Sequence, residues 1–152
     1  MIGPTAHSRI RDDCQGVLHP MAIHGISLFN RGEYWKAHEA LELAWLDEKG
    51  NIRNLYRGIL KVGVMYLHIE RGNYRGALKL YRRSQRWLAP FTGICRGVNI
   101  EKLRADVEIA IHEVRRLGPD KMELFDRSLL WPVEMGESRE EISSDRKFAD
   151  NW

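Results

Sequence analysis

The chain has little of what would fix its class at sight. No apolar run approaches the roughly 18 residues of a membrane-spanning helix, so no transmembrane segment is expected. The first residues, MIGPTAHSRIRDDCQ, lack the continuous apolar core of a signal peptide. Cysteine is scarce: Cys14 and Cys95 lie far apart and form no CxxC pair. Free thiols in a reducing, cytoplasmic setting are therefore expected rather than a structural disulfide. Net charge is low for a chain of 152 residues, only +3, so composition alone does not point to nucleic acid. Also missing are a P-loop, a dinucleotide fingerprint and a nucleophile elbow, which removes the commonest phosphate- and acyl-transfer signatures.

What the chain does have is helical periodicity. His19-Pro20 offers a helix start, and Asn30-Arg31-Gly32 an ending with Gly32 in the left-handed cap. A second helix from about Glu33 to Asp47 places Tyr34, Ala37, His38, Leu41, Ala44 and Trp45 on one face. Trp35, Glu39, Glu42 and Leu46 form a stripe beside it, and so wide an arc predicts a helix near the middle of a bundle. A third helix spans about Ile52 to Glu70, with Gly58 and Gly63 suggesting close helix–helix approach. Arg57, Lys61, Val64 and His68 make a separate stripe along it. A fourth helix, about Asn73 to Leu88, carries Arg75, Lys79, Arg82, Arg83 and Arg86 outward. Gly93 to Gly97 reads as a loop, and Asn99 caps a fifth helix that ends at Gly118-Pro119. Met122 to Val133 retains some packing residues, and Gly136 to Trp152 reads as a polar, disordered tail.

Two segments echo one another at an offset of forty residues, Arg31-Gly32-Glu33-Tyr34-x-x-Ala37 and Arg71-Gly72-Asn73-Tyr74-x-x-Ala77. Each joins one apolar helix to the next, as in stacked helical hairpins. The expected fold is all-α: a compact five-helix domain of two antiparallel hairpins plus a C-terminal helix, with tetratricopeptide-like packing. Its expected limits are 18–118, between an N-terminal arm (1–17) and a partly disordered C-terminal extension (119–152).

The sharpest local signal is His38-Glu39-x-x-Glu42. His38 and Glu42 sit four apart on one helix side. An imidazole with carboxylates suits zinc, manganese or iron, although the zinc-protease motif needs histidine where Glu42 stands. A divalent metal would take His38, Glu42 and His68, with His24 a further candidate and Glu39 as general base of a metal-assisted hydrolase. The competing expectation needs no cofactor: a buried polar network in which Arg57 and Lys61 neutralise Glu39 and Glu42. That network belongs to a non-enzymatic module acting on a protein partner or on itself. A third reading is nucleic-acid binding through Arg75, Lys79, Arg82 and Arg86, with Trp87 as the candidate for stacking; no recognised motif stands beside it, and a solvated helix face accounts for the same charges more simply.

The text Phe29-Asn30-x-Gly32-x-Tyr34-Trp35-x-Ala37-His38-Glu39-x-Leu41-Glu42-x-x-Trp45 resembles the family called domain of unknown function 309. The likeness continues through Tyr56-x-Gly58-Ile59, His68 and Gly72-Asn73-x-x-Gly76-Ala77, a run from about Met21 to Leu88. It implies a small all-α bacterial or archaeal domain without an assigned activity, with His38, Glu39, Glu42, Trp45 and His68 at signature positions. The chain departs from that pattern at Arg57 and Lys61, where glutamine-like residues are usual, and at Leu46, where arginine commonly follows the tryptophan. A charge-paired site with Arg57 would take an anion more readily than a cation, or bind nothing.

Overall fold

Proline can occupy the first turn of a helix because its missing N–H would have no intrahelical partner there. Pro20 does so in α1, Pro20–Asn30, and His19 caps it, the ring Nδ1 accepting from the Met21 N–H at 3.0 Å. The computed structural model describes residues 13–136. Beyond α1 it contains α2 (Tyr34–Asp47), α3 (Arg53–Glu70), α4 (Tyr74–Leu88) and α5 (Ile100–Leu117). Two single-turn 3-10 segments, Met122–Leu124 and Arg127–Leu129, follow. The five helices pack in chain order, each against the next.

The echoed segments turn the chain in the same way. Arg31 and Arg71 both have ψ of 2°, and Gly32 and Gly72 take φ of 79° and 69°. The N–H groups of Glu33 and Asn73 donate back to the carbonyls of Leu28 and His68 at 3.0 and 2.8 Å, closing the six-to-one bond of a Schellman turn. Each turn launches a helix whose first inward alanine, Ala37 or Ala77, is wholly buried. The caps differ: the Asn73 side chain accepts from the Gly76 N–H at 2.9 Å, whereas Glu33 makes no such bond.

In the core Tyr34 meets Phe29 and Tyr66 edge to face and the latter two rings are tilted against each other, with centroids 5.2 to 5.7 Å apart. Gly58 lets α3 approach α4 closely, since a Cβ there would stand 2.7 Å from the Leu88 Cγ. Arg104 of α5 donates to the carbonyls of Leu88 and Phe91, satisfying the end of α4.

Several expectations need correction. In α2 the buried residues are Tyr34, Ala37, Ala40, Leu41 and Ala44, while Trp35 and Leu46 are more than half exposed. The buried line is narrower than the apolar arc because three alanines let the neighbouring helices come close. The Gly93–Gly97 loop contains a short antiparallel hairpin, β1 (Ile94–Cys95) and β2 (Val98–Asn99).

Cys14 and Cys95 are not free thiols; they form a disulfide, and the argument for a reducing compartment that rested on free thiols falls with them. Nor are residues 13–17 a loose arm. Arg96 holds that segment, its backbone N–H donating to the Cys14 carbonyl and its guanidinium to the carbonyls of Asp13 and Val17. The segment after α5 also joins the core, through Met122, Phe125 and Val133. The Asn30 side chain pairs with both backbone groups of Val133, at 3.0 and 2.7 Å. The polar tail read from the sequence lies outside the described residues from position 137 onward.

Candidate functional site

Helix α3 lies between α2 and α4, and its outward stripe is Arg57, Lys61, Val64 and His68. These residues are half-buried, flanked by exposed Glu42 and Leu46 on α2 and exposed Arg83 and Arg86 on α4. The stripe therefore runs along the middle of a face shared by three helices.

At one end of the stripe, cations and indoles alternate. The Arg57 guanidinium stands 4.6 Å from the Trp45 ring centroid and 4.2 Å from that of Trp87. Arg53 lies 4.8 Å from Trp45, and Arg86 lies 5.7 Å from Trp87. The order Arg53, Trp45, Arg57, Trp87, Arg86 thus runs across three helices. Stacking holds each guanidinium plane while leaving its N–H edge free to donate, an arrangement lysine cannot reproduce. The Arg53 Nε is buried without a hydrogen-bond partner.

One turn further along α3 sits Lys61. Partial burial pushes its pKa down, and the Arg83 and Arg57 charges push it further, with Glu42 opposing. Among the described residues, no ion pair within 4.0 Å joins Glu39 or Glu42 to Arg57 or Lys61. The expected charge-paired network is absent, and its carboxylates are not buried: Glu39 and Glu42 both face solvent. Helix rotation explains this. Burying Ala37, Ala40 and Ala44 turns Glu39 and Glu42 away from the core.

The expected metal ligands do not converge either. Among the described residues, no three His, Cys, Asp or Glu side chains come together in a way that could hold a metal ion. His38 stacks on Trp35, with ring centroids 5.0 Å apart, and its Nδ1 is buried without a partner. His68 is engaged elsewhere: its Nδ1 lies 3.1 Å from the Asn73 Nδ2. Because the Asn73 Oδ1 accepts from Gly76, its amide nitrogen is the donor to His68, which fixes that ring nitrogen as an acceptor. Burial lowers the His68 pKa, and Arg71 and Lys79 lower it further. His24, the further candidate, is exposed on α1.

On α4, Arg75, Lys79, Arg82, Arg83 and Arg86 are all exposed, as the sequence suggests. Trp87 differs from expectation, since guanidinium groups already lie over its ring. The paired role of Trp45 and Trp87 was missed. A signal existed: Arg57 falls one turn from Arg53, and Trp45 and Trp87 both sit in the last turn of a helix neighbouring the start of α3.

Residues 22–80 match the model of the family described as Domain of unknown function (DUF309), which bears out the resemblance over that segment. The chain is also similar to an "Uncharacterized protein" of Aquifex aeolicus (strain VF5), 27% identical over 81 residues. That match covers 53% of this chain and 24% of the other, so the chain spans only about a quarter of that relative. The matched family segment contains Trp45, Arg53, Arg57 and Lys61 but stops before Arg83 and Trp87.

Proposed function

We propose that this protein is a binding module without catalytic chemistry of its own, and that the α2–α3–α4 face takes an anionic partner. The observation that carries this reading is Arg57, stacked between Trp45 and Trp87 above a partly desolvated Lys61 with Arg83 beside it. Cations so arranged repel one another, and the folded state bears that repulsion until an anion relieves it. The side chains are also ordered in advance, which lowers the entropic cost of binding. Two hairpins stacked in the tetratricopeptide manner would offer such a face across successive helices. Among the described residues the candidate metal ligands His38, Glu42 and His68 do not converge, which favours binding over metal-assisted hydrolysis.

Thermal melts with and without inorganic polyphosphate at low ionic strength test the reading. Ligand at about 100 times its Kd should raise the Tm by roughly 5–10 °C for a chain of this size. Added salt should erase the gain, and Lys61→Glu should abolish it. A Tm that polyphosphate leaves unchanged at low salt would overturn the proposal.

A further inference from the structure

We infer that the anionic partner is single-stranded nucleic acid, a reading that rests on the anion-binding face proposed above and names its occupant. Three features of the face point that way. The cations are interleaved with indole rings, whereas an acidic peptide or a sulfated sugar needs only the charges. The stack continues into a basic track along the exposed side of α4, through Arg83, Arg82, Lys79 and Arg75. From Arg75 to Arg86 the track extends over about 16 Å along α4, room for a few consecutive phosphates. Finally, Arg57 and Lys61 on the central helix are half-buried, with exposed residues of α2 and α4 on either side. A flexible single strand can lay phosphates and bases along such a face, while a duplex offers only its rigid outer backbone.

The geometry assigns roles along the stack. Arg57, closest to both rings, is the fixed donor to one phosphate. Arg86, exposed and farthest from its ring, is the movable member. As it swings out to the next phosphate, the Trp87 face it leaves accepts a base. Base–aromatic stacking of this kind contributes about 1–3 kcal/mol per base and tolerates any sequence.

The test measures binding of a fluorescent 20-nucleotide oligothymidylate by anisotropy at low salt, with intrinsic tryptophan fluorescence followed in parallel. The same titration is run with duplex DNA, heparin and polyglutamate. Oligothymidylate should bind more tightly than the duplex and quench tryptophan emission, and heparin and polyglutamate should leave that emission almost unchanged. Arg83→Glu/Arg86→Glu, both exposed, should weaken the oligonucleotide by about tenfold or more and reduce the slope of log K against log salt by about two. Trp87→Leu should weaken the oligonucleotide but not heparin; circular dichroism confirms that each variant keeps its helices. If duplex, heparin or polyglutamate bind as well as oligothymidylate, and tryptophan emission is unmoved, the single-strand inference fails while the anion-binding face stands. If no polyanion binds at low salt, both fail together.

Discussion

His68 was a metal-ligand candidate in the sequence, and its neighbours give it different work. It accepts from the Asn73 amide, and Asn73 in turn caps α4 through the Gly76 N–H. A proton on Nδ1 would set a donor against a donor, so the capped turn tolerates only the neutral ring. Burial, Arg71 and Lys79 all hold the folded-state pKa below the ordinary value near 6.5. The unfolded chain therefore binds more protons than the folded one in that interval, and stability falls as pH falls. The contribution is complete above about pH 6.5 and is lost as pH drops toward the depressed folded value. Thermal melts from pH 8 to pH 5 should show this loss. In His68→Gln, whose amide oxygen can still accept from Asn73, the slope below pH 6.5 should flatten. Parallel slopes in the two proteins would remove the assignment.

At the scale of elements, the helices and the inward faces of α3 and α5 were legible, and the width of the buried face of α2 was not. The bounds of all five follow from capping residues and periodicity, because Pro20, Gly32, Gly72, Asn73 and Asn99 act locally. Which face of α2 turns inward depends on how closely its neighbours approach. That selects Ala37, Ala40 and Ala44 over the larger Trp35 and Leu46, and it exposes Glu39 and Glu42. Gly58 expresses the same rule between α3 and α4. An alanine Cβ would meet Leu88 at 2.6 Å from Cδ2 and 2.7 Å from Cγ, and Leu88 is fully buried. Gly58→Ala recovers about 1 kcal/mol of helix propensity against an overpacking cost of about 1–3 kcal/mol. Because the clash reaches the branching carbon, the cost should win. The expected outcome is a net loss of about 1 kcal/mol in denaturant unfolding, together with altered tryptophan emission as Trp87, next to Leu88, shifts from Arg57. A stabilised variant with unchanged emission would show that α4 moves aside freely.

The whole molecule is closed by contacts that local pattern cannot reveal. Asn30 binds Val133 across 103 residues, Arg96 reaches Asp13 and Val17, and Cys14 bonds to Cys95 across 81. Each partner is ordinary in its own sequence neighbourhood, so two well-separated cysteines read as free thiols. The pairing becomes understandable once Arg96 is seen gathering the carbonyls of the N-terminal segment onto the hairpin, with Glu48 3.9 Å from its guanidinium. Those bonds bring the two cysteines together whether or not they are oxidised. The disulfide's added effect is on the unfolded chain, where a crosslink spanning 81 residues removes loop-closure entropy worth about 4 kcal/mol in the chain-entropy model. For a protein of this size, reduction should lower the Tm by about 8–16 °C. The Cys14→Ser/Cys95→Ala variant should melt near the reduced protein and be insensitive to reductant. The disulfide supplies no residue to the Trp45–Arg57–Trp87 stack, so polyanion binding by the reduced, folded protein should survive. Equal melting temperatures with and without reductant, or two alkylatable thiols in the untreated protein, would show that the arginine contacts hold the N-terminal segment without help from a covalent bond.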